Sequence, residues 1–251
     1  MSPRDALPNI VTIDGPAGVG KSSVARGVAQ RLGYFHLDTG ATYRAVTLAA
    51  LRAGVTDATA DEARLRPLVE RIVAGRRMRV GAGGRVWLDD EEVSEQVRSA
   101  AVTALVSPVS ALPVVRRELV GFQREIGEAR ARDSRGVVVE GRDAGSQIFP
   151  QARWRFYLDA SLRERARRRL AQESRKTGSR DDPRRLTATM ESLAQRDRID
   201  RERPVAPLCV PEGATVLDTT SLSLAQVVDA VCAEVASSSR KPPDGREGGR
   251  P

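Results

Sequence analysis

The sequence predicts an α/β fold in which a five-stranded parallel sheet is flanked by helices. Three observations support this prediction. Short apolar, β-branched runs alternate with segments of helical periodicity, the order that a parallel sheet requires. A glycine-rich loop joins the first such run to the first helical segment, and the 251 residues suffice for one α/β core with a small insertion. In such a sheet we expect ligands at the carboxyl ends of the strands.

The first strand–helix unit contains the most specific motif of the chain. Residues 9–14 (NIVTID) form the apolar run, and Val24, Val28 and Leu32 recur at helical spacing. Between them, residues 15–22 read GPAGVGKS, which matches the phosphate-binding loop GxxxxGK[ST]. The strand and the helix stand on the required sides of the loop. The motif therefore predicts a nucleotide-binding protein, and a glycine-rich connecting turn is the alternative interpretation.

The residue types in this loop suit a triphosphate and its metal ion. Glycines let successive N–H groups turn toward a phosphate, and the positive end of the helix adds to the field. Lys21 is expected to reach the β- and γ-phosphates, and the Ser22 hydroxyl to ligate Mg²⁺. Asp14 and Glu140 are both candidates for an acidic contribution to that metal site. The predicted ATP-binding residues are Gly15, Pro16, Ala17, Gly18, Val19, Gly20, Lys21, Ser22 and Ser23.

The remaining elements follow from similar signals. Residues 34–38 read as a second strand, and Thr39 is expected to cap a helix over residues 41–53. Residues 79–93 change to short antiparallel strands with glycine and acidic turns, which indicates an inserted substructure. Further helices are predicted over residues 94–106, 113–131, 161–176 and 224–235, and further strands over residues 136–140, 155–158 and 216–218.

Composition narrows the class of ligand. The net charge of +8 comes almost entirely from arginine, since only three lysines occur in the chain. About half of the arginines are expected on solvated helix faces, and the others need anionic partners. Aromatic residues make up 4% of the chain and do not alternate with basic ones, which disfavours a nucleic-acid stacking surface. We therefore expect phosphorylated small molecules as ligands.

Several classes of protein find no support in the sequence. The first residues do not resemble a signal peptide, and no apolar run is long enough to span a membrane, so we expect a cytoplasmic protein. Cys209 and Cys232 lack a metal-binding pattern. The only histidine, His36, is expected to be structural rather than catalytic. Residues 237–251 are rich in polar residues, Pro and Gly, which predicts a disordered tail.

Three charged clusters are candidates for the second substrate site. Residues 38–44 (DTGATYR) place an arginine one turn into a helix, where it can clamp a phosphate. Residues 140–143 (EGRD) put charges at the end of a buried strand, where unpaired charges are costly. In residues 196–203 an Arg, an Asp and an Arg share one helix face. Taken alone, the first and the third cluster could equally be solvated surface charges.

Together with the phosphate-binding loop, these clusters resemble the bacterial cytidylate kinases, a family of P-loop nucleoside monophosphate kinases. The resemblance runs from about Ile10 to Val235 and rests on TIDGPAGVGKS, LDTGATYR, EGRD, and RDxxDxxR followed by PVAPL. Residues 79–131, which include VWLDDEEVSEQVRS, are similar to the extra domain that distinguishes this family from adenylate kinases. The insertion supports CMP over AMP as acceptor.

The resemblance implies phosphorylation of CMP and dCMP by ATP with Mg²⁺. It assigns the base to Ser107, Arg116 and Asp143, the CMP phosphate to Arg44 and Arg142, the ribose region to Arg196 and Asp200, and phosphates to Arg203. The implied CMP-binding set is Thr39, Arg44, Ser107, Arg116, Arg142, Asp143, Arg196, Asp200 and Arg203. The implied catalytic set is Lys21, Arg142, Arg196 and Arg203.

The resemblance also implies a domain organisation and a set of partners. It divides the chain into an extension (1–8), a kinase domain (9–236) and a tail (237–251). Within the domain it implies a core (9–75 and 136–236), a monophosphate-binding part (about 76–135) and an arginine-rich lid (about 172–190). It implies a monomer that binds ATP and CMP or dCMP, without nucleic acid or membrane partners.

Two other functions are compatible with part of the sequence. A related kinase acting on AMP, UMP or shikimate would share the phosphate-binding loop, but the insertion and the implied base site argue against it. A nucleotide-gated RNA- or partner-binding protein would suit the high isoelectric point. The sequence contains no recognisable RNA-binding module, which argues against this second alternative.

Overall fold

The computed structural model describes residues 9–58, 62–177 and 183–238. Its strands are β1 (Ile10–Asp14), β2 (Phe35–Asp38), β3 (Met78–Val80), β4 (Val86–Leu88), β5 (Glu91–Glu92), β6 (Val137–Glu140), β7 (Trp154–Asp159) and β8 (Thr215–Asp218). Its helices are α1 (Lys21–Leu32), α2 (Thr39–Arg52), α3 (Glu62–Ala74), α4 (Ala100–Ala111), α5 (Pro113–Asp133), α6 (Leu162–Thr177), α7 (Pro183–Glu202) and α8 (Leu224–Ser238).

The predicted five-stranded parallel sheet is confirmed. Its strand order is β2-β6-β1-β7-β8, and all four neighbouring pairs are parallel. Ile13 of the central strand β1 is in register with Glu140 of β6 on one side and with Phe156 of β7 on the other. The loops that follow β1, β2 and β6 therefore leave the sheet at the same edge, which is where ligands bind in open α/β sheets.

Both faces of the sheet are covered, which explains the unbroken apolar runs of its strands. On one face, Val11 and Ile13 pack against α1 and α8 through residues such as Val28 and Val231. On the other face, Ile10 belongs to a separate cluster that includes residues after β6 and on α5. Burial on two faces fixes the strand register, because a slip by one residue would exchange the two sets of side chains.

The insertion forms a second, antiparallel sheet of three strands, in the order β3-β4-β5, as the sequence predicted. Its turn residues Asp89 and Asp90 both have positive φ, which matches the hairpin twist. Helices α2, α3, α4 and α5 pack around this sheet in one apolar cluster. Helix α3 is an element that sequence analysis did not predict.

The helix predicted over residues 94–106 is wrong at both ends. Residues Gln96–Arg98 form a 3₁₀ turn, and α4 begins only at Ala100 because the Ser99 hydroxyl caps the N–H of Val102. Helix α4 then continues to Ala111, past the predicted end. Pro113 starts the next helix, α5.

Two other helix ends differ from prediction. Asp38 rather than Thr39 caps α2, because its carboxylate accepts the N–H of Ala41 at 3.1 Å. Helix α8 includes Ser237 and Ser238, which were predicted to be disordered, and the Ser237 hydroxyl donates to the Glu234 carbonyl at 2.9 Å. The rest of the predicted tail, and the predicted extension 1–8, lie outside the described residues. Among the described helices, none is both long and apolar enough to cross a membrane.

Truncation of Phe156 tests how far the sheet depends on its core. Phe156 is fully buried on β7, so Phe156→Ala is expected to lower the free energy of unfolding by about 3–5 kcal/mol, as cavity-forming aromatic truncations do. Val216 on the edge strand β8 is 53% exposed, and Val216→Ala serves as the control, with a change of about 0.5 kcal/mol or less. Urea unfolding measures both, and equal losses would contradict the described packing.

Candidate active site

The loop between β1 and α1 passes close to the end of β7. A Cβ on Gly15 would lie 2.2 Å from the carbonyl oxygen of Leu158, and the φ of Gly15 is 147°, so only glycine fits there. Gly20, the N-cap of α1, has a φ of 102°. The N–H groups of Ser23 and Val24 both donate to the Gly20 carbonyl at 3.1 Å, and the N–H groups that precede them stand at the helix start, where intrahelical acceptors are generally lacking. The backbone thus has the form that phosphate binding requires.

Lys21 is a buried residue of the loop, 6% exposed. Its Nζ atom donates to the carbonyl oxygens of Gly15 and Pro16, both at 2.7 Å. Burial holds the pKa of Lys21 well below its ordinary value, and the nearby Arg142 lowers it further. An anion such as a triphosphate would favour the charged form of this side chain.

The Ser22 hydroxyl contacts a buried carboxylate at the end of β6. Its Oγ donates to Oε2 of Glu140 at 2.7 Å, while Oε1 of Glu140 contacts Nε2 of His36 at 2.9 Å. Burial raises the pKa of Glu140, but the hydrogen bonds from His36 and Ser22 outweigh it, so the pKa is below its ordinary value. Of the two acidic candidates, Glu140 is therefore the one in contact with Ser22. Such oxygen ligands suit Mg²⁺.

The other candidate, Asp14, is committed to the backbone. Its Oδ1 accepts the N–H of Ala144 at 2.8 Å, and its Oδ2 accepts the N–H of Gly145 at 2.7 Å. These bonds fix the segment that follows EGRD against the end of β1. The side chain is fully buried, and burial raises its pKa to about 7.

Helices α6 and α7 hold the phosphate-binding loop through a buried ion pair. The carboxylate of Asp197 accepts the N–H of Ala17 at 2.8 Å and a hydrogen bond from Arg165 at 2.5 Å. Arg165 also donates to the Ala17 carbonyl at 2.9 Å, and Arg168 donates to the Val19 carbonyl at 3.0 Å. Arg165 and Arg168 of α6 are thus bonded to the loop itself.

A cluster of three arginines lies beside the loop: Arg44 of α2, Arg142 from the segment after β6, and Arg196 of α7. Burial and the neighbouring Arg142 and Arg44 lower the pKa of Arg196 to about 10. Burial also lowers the pKa of Arg44, and Arg98 and Arg169 act on it in the same direction. Like charges at such proximity repel one another, and an anion placed between them offsets this repulsion. The charge of this cluster therefore suits an anionic group, which the sequence predicts to be the phosphate of the acceptor.

The predicted CMP-binding residues at the ends of β6 and α7 form one network. Arg142 donates to Asp200 at 3.0 Å, and Arg203 lies 3.8 Å from Asp200 and 3.5 Å from Asp143. Asp143 is hydrogen-bonded to Arg116 of α5, and both side chains are nearly inaccessible to solvent. The network links EGRD to RDxxDxxR, two motifs more than fifty residues apart in the chain.

The insertion reaches this network through α4 and α5. The Arg116 guanidinium donates to the Ser110 carbonyl at 2.9 Å and lies 5.3 Å from the ring of Tyr43. Ser107, one turn earlier on α4, is half-buried, and its carbonyl accepts the Ser110 hydroxyl at 3.0 Å. Arg44 donates to Val97 and Thr103 of the same insertion, at 3.1 and 3.0 Å.

Thr39 contacts the backbone at the end of β6. Its hydroxyl donates to the Glu140 carbonyl at 2.7 Å, and its own carbonyl accepts the Thr42 hydroxyl at 2.8 Å. The side chain is 2% exposed. Thr39 therefore joins β2 to β6 within the site, and its predicted contact with CMP stays a prediction.

Sequence analysis missed five residues of this site. Arg165, Arg168 and Asp197 hold the loop, while Arg98 and Arg169 lie close enough to Arg44 to lower its pKa. Asp197 stands next to Arg196 in RDxxDxxR, and Arg98 stands in VWLDDEEVSEQVRS, so both motifs contained a signal. The spacing of the arginines along α6 does not show which of them contact the loop. Those contacts depend on how α6 packs against the loop.

The fold and the site together define a P-loop phosphotransferase with an anionic acceptor. The phosphate-binding loop follows the central strand, and the arginine cluster lies beside it at the same sheet edge. This arrangement places an anionic donor and an anionic acceptor next to each other, as in kinases of phosphorylated small molecules.

Comparison with known proteins gives the family. The family model for cytidylate kinase matches residues 11–237. The chain is 43% identical over 222 residues to the cytidylate kinase of Symbiobacterium thermophilum, covering 88% of this chain and 93% of that one. It is 44% identical over 223 residues to the enzyme of Mycobacterium avium, with coverages of 88% and 92%. The chain therefore belongs to the cytidylate kinase family, which confirms the resemblance found in the motifs.

The pH dependence of folding tests the environment of Asp14. Because its pKa is near 7 in the folded protein and 3.8 when unperturbed, the folded state binds this proton more tightly. Ionisation then costs stability progressively as the pH rises from about 4 to about 7. Relative to Asp14→Asn, the wild type should lose stability over this range. Urea midpoints of both proteins at pH 5, 6, 7 and 8 measure the difference, and parallel curves would contradict the raised pKa.

Loss of Asp197 tests the anchoring of the loop. Asp197→Ala leaves the Arg165 charge buried without its partner, so we expect a loss of about 3–5 kcal/mol in unfolding free energy and weaker ATP binding. The double variant Arg165→Met with Asp197→Leu removes both charges and should recover much of the stability, but not the ATP affinity. Urea unfolding and fluorescence titration measure the two effects. Full recovery of affinity in the double variant would contradict the anchoring role.

Proposed function

We propose that this chain transfers the γ-phosphoryl group of ATP to CMP and dCMP, giving ADP with CDP or dCDP. The observation that carries the proposal is the buried Arg116–Asp143 pair between the insertion and the arginine cluster. A guanidinium and a carboxylate present donors and an acceptor side by side, which suits the edge of cytosine. The arginines beside this pair suit the phosphate of the same molecule.

In this proposal the chain acts by positioning and by neutralising charge. Arg44 and Arg142 hold the phosphate of CMP, Arg196 and Asp200 contact the ribose region, and Arg203 contacts phosphates. Lys21 exchanges its carbonyl partners for the β- and γ-phosphates of ATP. The attacking oxygen of CMP is already ionised, so no general base is needed. Alignment of two bound anions is the main contribution of the protein.

The residues near Ser22 fit a magnesium ion. The Ser22 hydroxyl and the Glu140 carboxylate, 2.7 Å apart, are hard oxygen ligands, and Mg²⁺ is usually held by few protein ligands together with phosphates and water. Among the described residues, no three His, Cys, Asp or Glu side chains form a metal cluster. The site that we propose is Ser22 with Glu140, because of the contact between them. The ion, when bound, neutralises charge on the triphosphate.

The proposed domain organisation follows the described elements. The core (9–75 and 136–236) carries the parallel sheet, and the insertion (76–135) carries the small sheet with α4 and α5. The proposed lid (172–190) contains the end of α6 and the start of α7, and residues 178–182 between them lie outside the described residues. We propose that the lid closes over ATP, which would exclude water from the transferred phosphoryl group. A monomeric state and a cytoplasmic location remain predictions.

A substrate panel tests the acceptor. We expect ADP release with ATP and Mg²⁺ to be far faster with CMP and dCMP than with UMP or AMP, because cytosine offers an amino group to Asp143 where uracil has a carbonyl. Asp143→Asn removes the charge that favours an amino donor, and it should reduce the preference for CMP over UMP by about tenfold or more. A coupled assay of ADP measures both quantities.

The matched control is Asp229→Asn on α8, which removes an exposed carboxylate that pairs with Arg31, and it should leave the preference unchanged. Equal turnover of UMP and CMP by the wild type would overturn the base-site assignment. ATP binding without turnover of any monophosphate would favour a nucleotide-gated binding protein instead.

A further inference from the structure

His36 is the only histidine of the chain, and its contacts indicate a role beyond packing. It lies on β2, in register with Val138 of β6, and its side chain is 5% exposed. Nε2 contacts Oε1 of Glu140 at 2.9 Å. An ionised carboxylate only accepts, so the hydrogen bond requires the proton on Nε2.

The other ring nitrogen of His36 argues against a role in packing alone. Within the described part of the chain, Nδ1 is buried and has no hydrogen-bond partner. An unpaired buried polar atom costs free energy that an apolar side chain of similar size would not cost. The hydrogen bond from Nε2 is therefore the feature that the histidine supplies at this position.

Glu140 is held at three points. The Thr39 hydroxyl binds its carbonyl at 2.7 Å, His36 binds Oε1, and Ser22 binds Oε2 at 2.7 Å. Loss of the His36 contact would free the Glu140 carboxylate to rotate. The Lys21 ammonium group is close enough to lower the pKa of Glu140. Rotation would break the contact with Ser22, whose hydroxyl orientation then would no longer be fixed.

We propose that His36 is a positioning residue of the metal site, which holds Glu140 so that the Ser22 hydroxyl donates to Oε2 and keeps an oxygen lone pair for Mg²⁺. His36 acts on Ser22 indirectly, because none of the described hydrogen bonds joins His36 to Ser22 or to the rest of the phosphate-binding loop. Groups that orient a metal ligand in this way typically contribute about 10- to 100-fold to metal affinity. The proposal rests on the proposed metal site at Ser22, but not on the identity of the acceptor.

The test measures the affinity for a fluorescent ADP analogue with Mg²⁺ and with EDTA, in the absence of CMP. The ratio of the two affinities reports the metal site alone. His36→Phe should reduce this ratio by about tenfold and leave the EDTA affinity within about twofold. His36→Gln places an amide N–H where Nε2 lies, so it should restore the ratio. Phe35→Leu, a neighbouring change on β2 that leaves Glu140 untouched, is the control.

A double-mutant cycle separates positioning from a general effect on folding. In a Glu140→Gln background, His36→Phe should cause no further loss of the ratio, because the proposed route passes through Glu140. Electron paramagnetic resonance of Mn²⁺ with enzyme and ADP gives a second readout, in which His36→Phe should weaken the bound-metal signal.

Three results would overturn the proposal. These are an unchanged ratio in His36→Phe, an equal loss of affinity with and without Mg²⁺, or additive losses in the cycle. If His36→Phe does not fold, His36→Gln and Glu140→Gln still decide, since the proposal requires the first to retain the ratio and the second to lose it. Failure of CMP turnover would leave these metal readouts intact, so the two hypotheses fail separately.

Discussion

Positive charge gathered at the carboxyl edge of the parallel sheet is the constraint on which the site depends. Burial lowers the pKa of Arg44 and of Arg196, and the positive charge of the nearby Arg142 lowers both further. The carboxylates Asp200 and Asp143 compensate part of the charge through hydrogen bonds and ion pairs. Such preorganised positive charge suits phosphoryl transfer, in which charge on the phosphate groups has to be neutralised.

Helix α7 couples the two halves of the site. Arg196 of this helix belongs to the arginine cluster and Asp200 pairs with Arg142, while Asp197 binds the backbone of the phosphate-binding loop. Through Arg165, Asp197 also ties α6 to the same loop. Any displacement of α7 would therefore alter the donor and the acceptor sites together. This gives a physical route by which closure of the proposed lid would align ATP with CMP before transfer.

The buried carboxylates at the strand ends have separate tasks, although their sequence context is alike. Asp14 accepts two backbone N–H groups, one on each carboxylate oxygen, and so fixes the segment after β6. Glu140, one strand away, binds side chains instead, and one of them is the Ser22 hydroxyl. The difference arises because β6 lies between β1 and β2, so Glu140 has α1 within reach on one side and His36 on the other.

The sequence by itself determined the parallel sheet, the phosphate-binding loop, the insertion and the family, because these depend on local periodicity and contiguous motifs. It also predicted Arg142, Asp143, Asp200 and Arg203 as site residues; the structure brings them into one network, and their roles toward substrate stay predictions. Only the tertiary structure decided which residues meet: that Asp197 holds the loop, that Glu140 rather than Asp14 contacts Ser22, and that His36 binds Glu140. Each of those contacts joins residues more than a hundred positions apart, which only the folding of the chain brings together. Spacing along one chain contains no record of such neighbours.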